Sequence, residues 1–261
     1  MSADSKQIGS KQTTESSMKK PAANKATVKK QIIKNIAASV RQRLLNRARE
    51  DKRPFNELLQ YYAMERFLFR LSQSDYAEQF ILKGALMLRV WQSPEIRPTV
   101  DIDMLGKTDN DANAILDQMR EILAVEVEND GVVFDAGSLQ TEAITEDADY
   151  QGLRVRCRAS LDRAQITLQV DIGFGDVVHP APVKANFPIL LDFPAPELLC
   201  YSRESAVAEK FEAMVKLAAL NSRMKDFYDI WLLSRQFDFE AANLSEAIHR
   251  TLNKRLMSAN S

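Results

Sequence analysis

Histidine is nearly missing from this chain of 261 residues, which holds only His179 and His249. That leaves little material for a histidine-rich metal site or a histidine-based relay. Cysteine is as scarce. Cys157 and Cys200 stand far apart without metal-ligand spacing, which predicts two buried thiols in a reducing cytoplasm rather than a disulfide. No apolar run approaches the roughly 20 residues that span a bilayer, so no membrane contact is expected. The opening MSADSKQIGSKQ lacks the apolar segment of a secretory signal. Neither GxxxxGK followed by Ser or Thr nor HExxH occurs, and the acids Glu146, Asp147 and Asp149 lack EF-hand spacing. Net charge is only −1, but it hides an asymmetry. Residues 1–35 carry eight Lys against Asp4 and Glu15, so a +6 arm precedes a −7 body. Such an arm suits nucleic-acid phosphate, and it equally suits a solvated tail.

Residues 1–27 have almost no large apolar side chain, cannot offset chain entropy by burial, and predict a disordered basic tail. Apolar residues from Ile32 to Leu45 then recur at three and four, predicting a helix from about Val28. Arg41, Arg43, Arg47 and Arg49 around it form a solvated face or the lining of an RNA groove. Pro54 opens a second helix with Leu58, Leu59, Tyr62, Phe67, Phe69 and Leu71 as its apolar residues. A short helix is expected before Ile81, and an amphipathic one over about 111–123. The period then drops to two. Strands are expected over 125–128, 132–134, 139–144, 153–161 and 165–172, with a turn at Asn129-Asp130-Gly131. Pro182, Pro188, Pro194 and Pro196 mark a linker. Helical spacing returns near 204–217, 223–235 and 244–256, with Val207, Phe211, Met214, Val215 and Leu217 as the apolar side of the first. The expected fold is α+β: a mixed sheet flanked by helices, with a helical C-terminal part. The expected divisions are a tail (1–27), a core with N-terminal helices (28–192) and a C-terminal part (193–261).

The chemistry concentrates in ILKGALMLRVWQSPEIRPTVDIDML, residues 81–105. Strand residues alternate faces, so Asp101 and Asp103 present two carboxylates on one side while Val100, Ile102 and Met104 face the core. The alternation of residues 165–172 brings Asp171 out with Gln169 and Thr167. Carboxylates held close repel, and either a shared proton, a cation or a divalent metal compensates them or both acids are simply solvated. Three of them can hold two metal ions that orient a nucleoside triphosphate and activate a hydroxyl. Alternation also puts Arg154, Arg156 and Arg158 on one face, either as an exposed surface or as charge complement to phosphate or to the carboxylates. Asp176 can serve simply to stabilise its turn.

The blocks FILKGALMLRVW, RPTVDIDMLG, LQVDIGFGD, AVAEKFEAMV and NSRMKDFYDIWLLSR, in that order, resemble the AbiEii/AbiGii-type nucleotidyltransferase toxins. The resemblance covers roughly residues 35–250. It implies a nucleotidyltransferase-like sheet, magnesium (Mg2+) on Asp101, Asp103 and Asp171, and transfer of a nucleotidyl group from a nucleoside triphosphate. Lys210 would contact triphosphate oxygens, and Asp226 would orient the triphosphate or the acceptor, a role Asp229 could hold instead. Lys83 either faces the phosphates or is structural. Superfamily members usually have Gly-Gly or Gly-Ser where this chain has Gly84-Ala85, so a phosphate contact there would fall to backbone N–H groups. The resemblance further implies a cytoplasmic toxin of a type IV toxin–antitoxin or phage-defence pair, a cognate antitoxin partner, and tRNA as the leading acceptor. The rival readings are an enzyme of this fold that nucleotidylates protein and an inactive binding module.

Overall fold

A computed structural model describes residues 35–94, 98–147, 150–217 and 224–258. The expected tail and the expected start of the first helix lie outside the described residues. Helix α1 (Ile36–Glu50) begins where the Asn35 side chain accepts the Ala38 N–H, and it buries Val40, Leu44 and Ala48, a repeat of four. Helix α2 (Phe55–Ser72) follows Pro54 and is buried around most of its circumference, which suits a helix at the centre of a core. Its buried charges are all partnered. Arg66 pairs with Glu65 at 2.8 Å, and Arg70 reaches Asp130 of the Asn129-Asp130-Gly131 turn at 2.8 Å.

Seven strands form one mixed sheet in the order β3-β4-β5-β2-β1-β7-β6. They are β1 (Phe80–Lys83), β2 (Ile102–Gly106), β3 (Val132–Asp147), β4 (Tyr150–Leu161), β5 (Ala164–Phe174), β6 (Val183–Asn186) and β7 (Glu197–Cys200). β3, β4 and β5 run as an antiparallel meander, β2 joins β5 in parallel, and β1 pairs antiparallel to β2. On β5, Ile166, Leu168, Val170 and Ile172 are buried in the same core as α2, so Thr167, Gln169 and Asp171 emerge on the opposite face. A short 3-10 turn (Gly84–Leu86) runs into α3 (Met87–Val90), and α4 (Ala112–Ala124) is capped by Asp111, whose side chain accepts the Ala114 N–H. The C-terminal helices are α5 (Arg203–Leu217), α6 (Met224–Gln236) and α7 (Ala241–Ser258). None of the described helices is long and apolar enough to cross a membrane.

Several local expectations are corrected. Residues 75–79 form turns instead of a short helix, and 125–128 is not a strand because no neighbour pairs with it. The separate strands expected at 132–134 and 139–144 are one strand, β3, interrupted by a register shift between Asp135 and Gln140. β6 and β7, unforeseen in the proline-rich region, complete the sheet. Val100 is 68% exposed instead of facing the core. On α5, Phe211 and Val215 are exposed, and among the described side chains the buried ones are Ser205, Ala206, Val207, Ala208 and Glu212. Both cysteines are free and buried, as expected, and burial pushes each thiol up to about 12.

Candidate active site

Register places the charged residues in a row. Lys83 on β1 lies opposite Asp103 on β2, Asp103 opposite Asp171 on β5, and Asp171 opposite Arg154 on β4. Directly opposite residues share a face, and like charges so placed destabilise a sheet. Here two central carboxylates are flanked by one cation on each side. Asp101 sits just ahead of β2 rather than within it: β1 ends at Lys83, opposite Asp103, and the ladder between β2 and β5 begins at Ile102. Its carboxylate is nevertheless gathered in, and accepts a hydrogen bond from the Thr99 hydroxyl. One oxygen each from Asp101, Asp103 and Asp171 lie within 4.8 Å of one another.

The acids differ in environment. Burial and then the Asp101 charge push the Asp103 carboxyl up to about 6, with Lys83 pulling the other way. Asp171 is held in a two-pronged grip: Arg154 Nε donates to Oδ1 at 2.8 Å and Nη2 to Oδ2 at 2.7 Å. That bond raises the Arg154 guanidinium above its ordinary value, so it stays charged. Of the two options for the arginine face, Arg154 therefore complements the carboxylate cluster. Arg156 instead bonds Glu142 and Gln169, and Arg158 bonds Asp135 near solvent.

Gly84 is required where it stands. Its φ is +72°, and a Cβ there would fall 1.9 Å from Asp103 Oδ2, so only glycine lets the carboxylate lie against the backbone. Ala85 is buried beside it. Lys83 Nζ is pinned between Asp176 at 2.7 Å and Glu209 at 2.5 Å, and lies over the Tyr201 ring. Asp176 thus does more than stabilise its turn. Across the cleft, Lys210 on α5 bridges Asp226 Oδ1 at 3.1 Å and Asp229 Oδ2 at 2.8 Å on α6. Both acids engage the lysine, so the choice between Asp226 and Asp229 dissolves at the level of contacts.

A cleft of about 220 Å³ lies between these groups, lined by Lys83, Gly84, Ala85, Asp103, Asp171, Lys210, Asp226 and Asp229. Asp101 is the one candidate not on its wall, although its oxygen reaches the cluster. Glu209 also lines the cleft and was missed in the sequence. Its side chain is 27% exposed, yet burial pushes its carboxyl up to about 7 against the pull of Lys83. The only signal was its place beside Lys210 in AVAEKFEAMV. An all-oxygen set of three clustered carboxylates fits a hard divalent cation, which would relieve the repulsion felt by Asp103.

The class is that of the nucleotidyltransferases, and the family match carries it. Residues 66–259 match the family described as nucleotidyl transferase AbiEii toxin, type IV TA system. The chain belongs to that family, whose members are toxins paired with an antitoxin and whose chemistry uses a nucleotide. No curated protein matches it. Among solved structures it is similar to JHP933 from Helicobacter pylori, at 16% identity over 78% of this chain and 80% of that one, with a TM-score of 0.45. It is similar also to ANT(2″)-Ia in complex with adenylyl-2″-tobramycin, at 12% identity over 77% of this chain and 99% of that one, with a TM-score of 0.38.

Proposed function

We propose that the chain is a magnesium-dependent nucleotidyltransferase that moves a nucleotidyl group from a nucleoside triphosphate to tRNA, acting as the toxin of a phage-defence pair. The observation that carries this reading is the cross-strand row Lys83–Asp103–Asp171–Arg154 facing Lys210 across one cleft. In the reaction the acceptor hydroxyl oxygen bonds to the α-phosphorus, and the bond from that phosphorus to the α–β bridging oxygen breaks. Its electron pair leaves with pyrophosphate, and the hydroxyl proton is lost to solvent. Asp101, Asp103 and Asp171 would hold magnesium, which supplies charge neutralisation of the phosphates and alignment of the attacking and leaving oxygens. Lys210 supplies a positive point charge for the triphosphate, held in place by Asp226 and Asp229. Lys83, Gly84 and Ala85 form the substrate-side wall. The Arg154 grip orients Asp171.

The test is incubation of the purified full chain with magnesium, each α-labelled triphosphate in turn and total tRNA, alongside Asp101→Ala/Asp103→Ala. Label in the RNA that disappears in the variant is expected, and it names the base. Label confined to protein would replace the acceptor with a protein hydroxyl. No label at all, with no nucleotide-dependent thermal shift, would leave an inactive binding module.

A further inference from the structure

Helix α6 is inside-out with respect to its charges. Asp226 and Asp229 are buried against Lys210, whereas Met224, Phe227, Tyr228 and Trp231 are exposed by 68%, 39%, 41% and 54%. Those four positions fall at i, i+3, i+4 and i+7, the spacing of one continuous helical stripe. Stripes of this kind normally face a core, and an exposed one marks a contact surface. The Tyr228 and Trp231 rings lie 5.8 Å apart at 38°, so they form one aromatic pair on this face.

Charge decides which partner fits. The exposed charged residues of α6 are Lys225 and Arg235, at either end of the stripe, and no exposed position of this helix is acidic. Exposed aromatics on a helix whose own exposed charges are both cations, with the exposed acids Asp238 and Glu240 only beyond its end, are a composition that takes unstacked bases on the rings and phosphates on the rim. A protein partner would need no such single-sign border. The inward face of the same helix contributes Asp226, Asp229 and Leu233 to the cleft wall, so whatever lies on the stripe lies one helix diameter from the triphosphate site.

We propose that the outward face of α6 is a base-stacking platform for the single-stranded end of the acceptor nucleic acid. The assignment rests on the nucleotidyltransferase reading for its purpose, but it is tested by binding alone. Labelled single-stranded 12-nucleotide RNA is titrated with the full chain by fluorescence anisotropy, without triphosphate and at low salt. Trp231→Ala and Phe227→Ala/Tyr228→Ala are each expected to weaken binding roughly tenfold, the scale of losing one base–aromatic stack. Trp231→Tyr is expected to retain most of the affinity, and Lys225→Glu/Arg235→Glu to weaken it and flatten its salt dependence. Asp101→Ala/Asp103→Ala is expected to bind the RNA as the wild type does, which separates failure of the platform from failure of the chemistry. Unchanged affinity in Trp231→Ala overturns the platform, even if tRNA is labelled in the transfer assay. So does equal competition by fully duplex RNA. Concentration-dependent self-association that Trp231→Ala abolishes, with RNA affinity unmoved, would assign the stripe to a second copy of the chain instead.

Discussion

Gly84 and Gly175 form a natural control pair. Both have positive φ, +72° and +78°, but a Cβ at Gly84 would strike the Asp103 carboxylate whereas one at Gly175 meets nothing within 4 Å. An alanine at either site pays the left-handed backbone penalty of about 1–2 kcal/mol. Only Gly84→Ala should also displace Asp103. A misplacement of about 1 Å at a reacting centre can lower turnover about a hundredfold, so Gly84→Ala should be nearly inactive. Gly175→Ala should lose comparable stability with activity close to wild type. Equal activity in the two variants would show that the tight approach of Gly84 to Asp103 has no catalytic consequence. The importance of Gly84 could be suspected from the sequence, since a small-residue turn precedes the acids. Glu209 could not, because its pairing partner Lys83 is 126 positions away and no local pattern connects them.

At the level of elements, α2 sets the geometry of the acids from beneath. Gln60 Nε2 donates to the carbonyl of Val100 at 3.0 Å and to that of Thr167 at 3.1 Å, tying the segment before β2 to β5. The Tyr61 hydroxyl accepts the Thr99 N–H at 3.3 Å, steadying the residue that bonds Asp101. Gln60→Leu removes two bonds that together stabilise by roughly 1–3 kcal/mol. It should raise the magnesium concentration needed for half-maximal activity several-fold while the KM for triphosphate holds. Lower melting temperature with an unchanged magnesium titration would reduce Gln60 to a purely structural tie. Elements were legible wherever the period was long and unambiguous, as in α2, α4, β4 and β5. Strands of four residues such as β6 and β7 are too short to show alternation, and they exist only because β1 offers an edge. Helix α6 carries two stripes of suitable spacing, 226/229/233 and 224/227/228/231. Lys210 on another helix draws the first stripe inward, and periodicity alone does not choose between the two.

For the whole molecule, the buried pair on α2 ties the proline-rich segment to the core under the sheet. Glu65 Oε2 accepts the Leu190 N–H at 2.7 Å, and Arg66 donates to the Pro194 carbonyl at 2.9 Å. Both side chains are about 1% exposed. Burial pushes the Glu65 carboxyl up to about 7 from its ordinary 4.5, although Arg66 and the Leu190 N–H pull it down. Between those two values the unfolded chain has released a proton that the folded chain still holds, so this group's contribution to stability falls as pH rises and is constant above about 7. Glu65→Gln keeps an acceptor for Leu190 and removes the titration. The difference in unfolding free energy between the two proteins should therefore shift toward the variant between pH 4.5 and 7, by on the order of 1–3 kcal/mol. Above that range it should level off. Urea unfolding of both proteins across this range reads the difference directly and cancels the titration of every other carboxylate. A difference that stays flat with pH would mean that Arg66 fully compensates the buried charge. A shift toward the wild type as pH rises would mean that the ion pair outweighs its desolvation, and that the pair helps hold the proline-rich segment in place only while Glu65 is ionised.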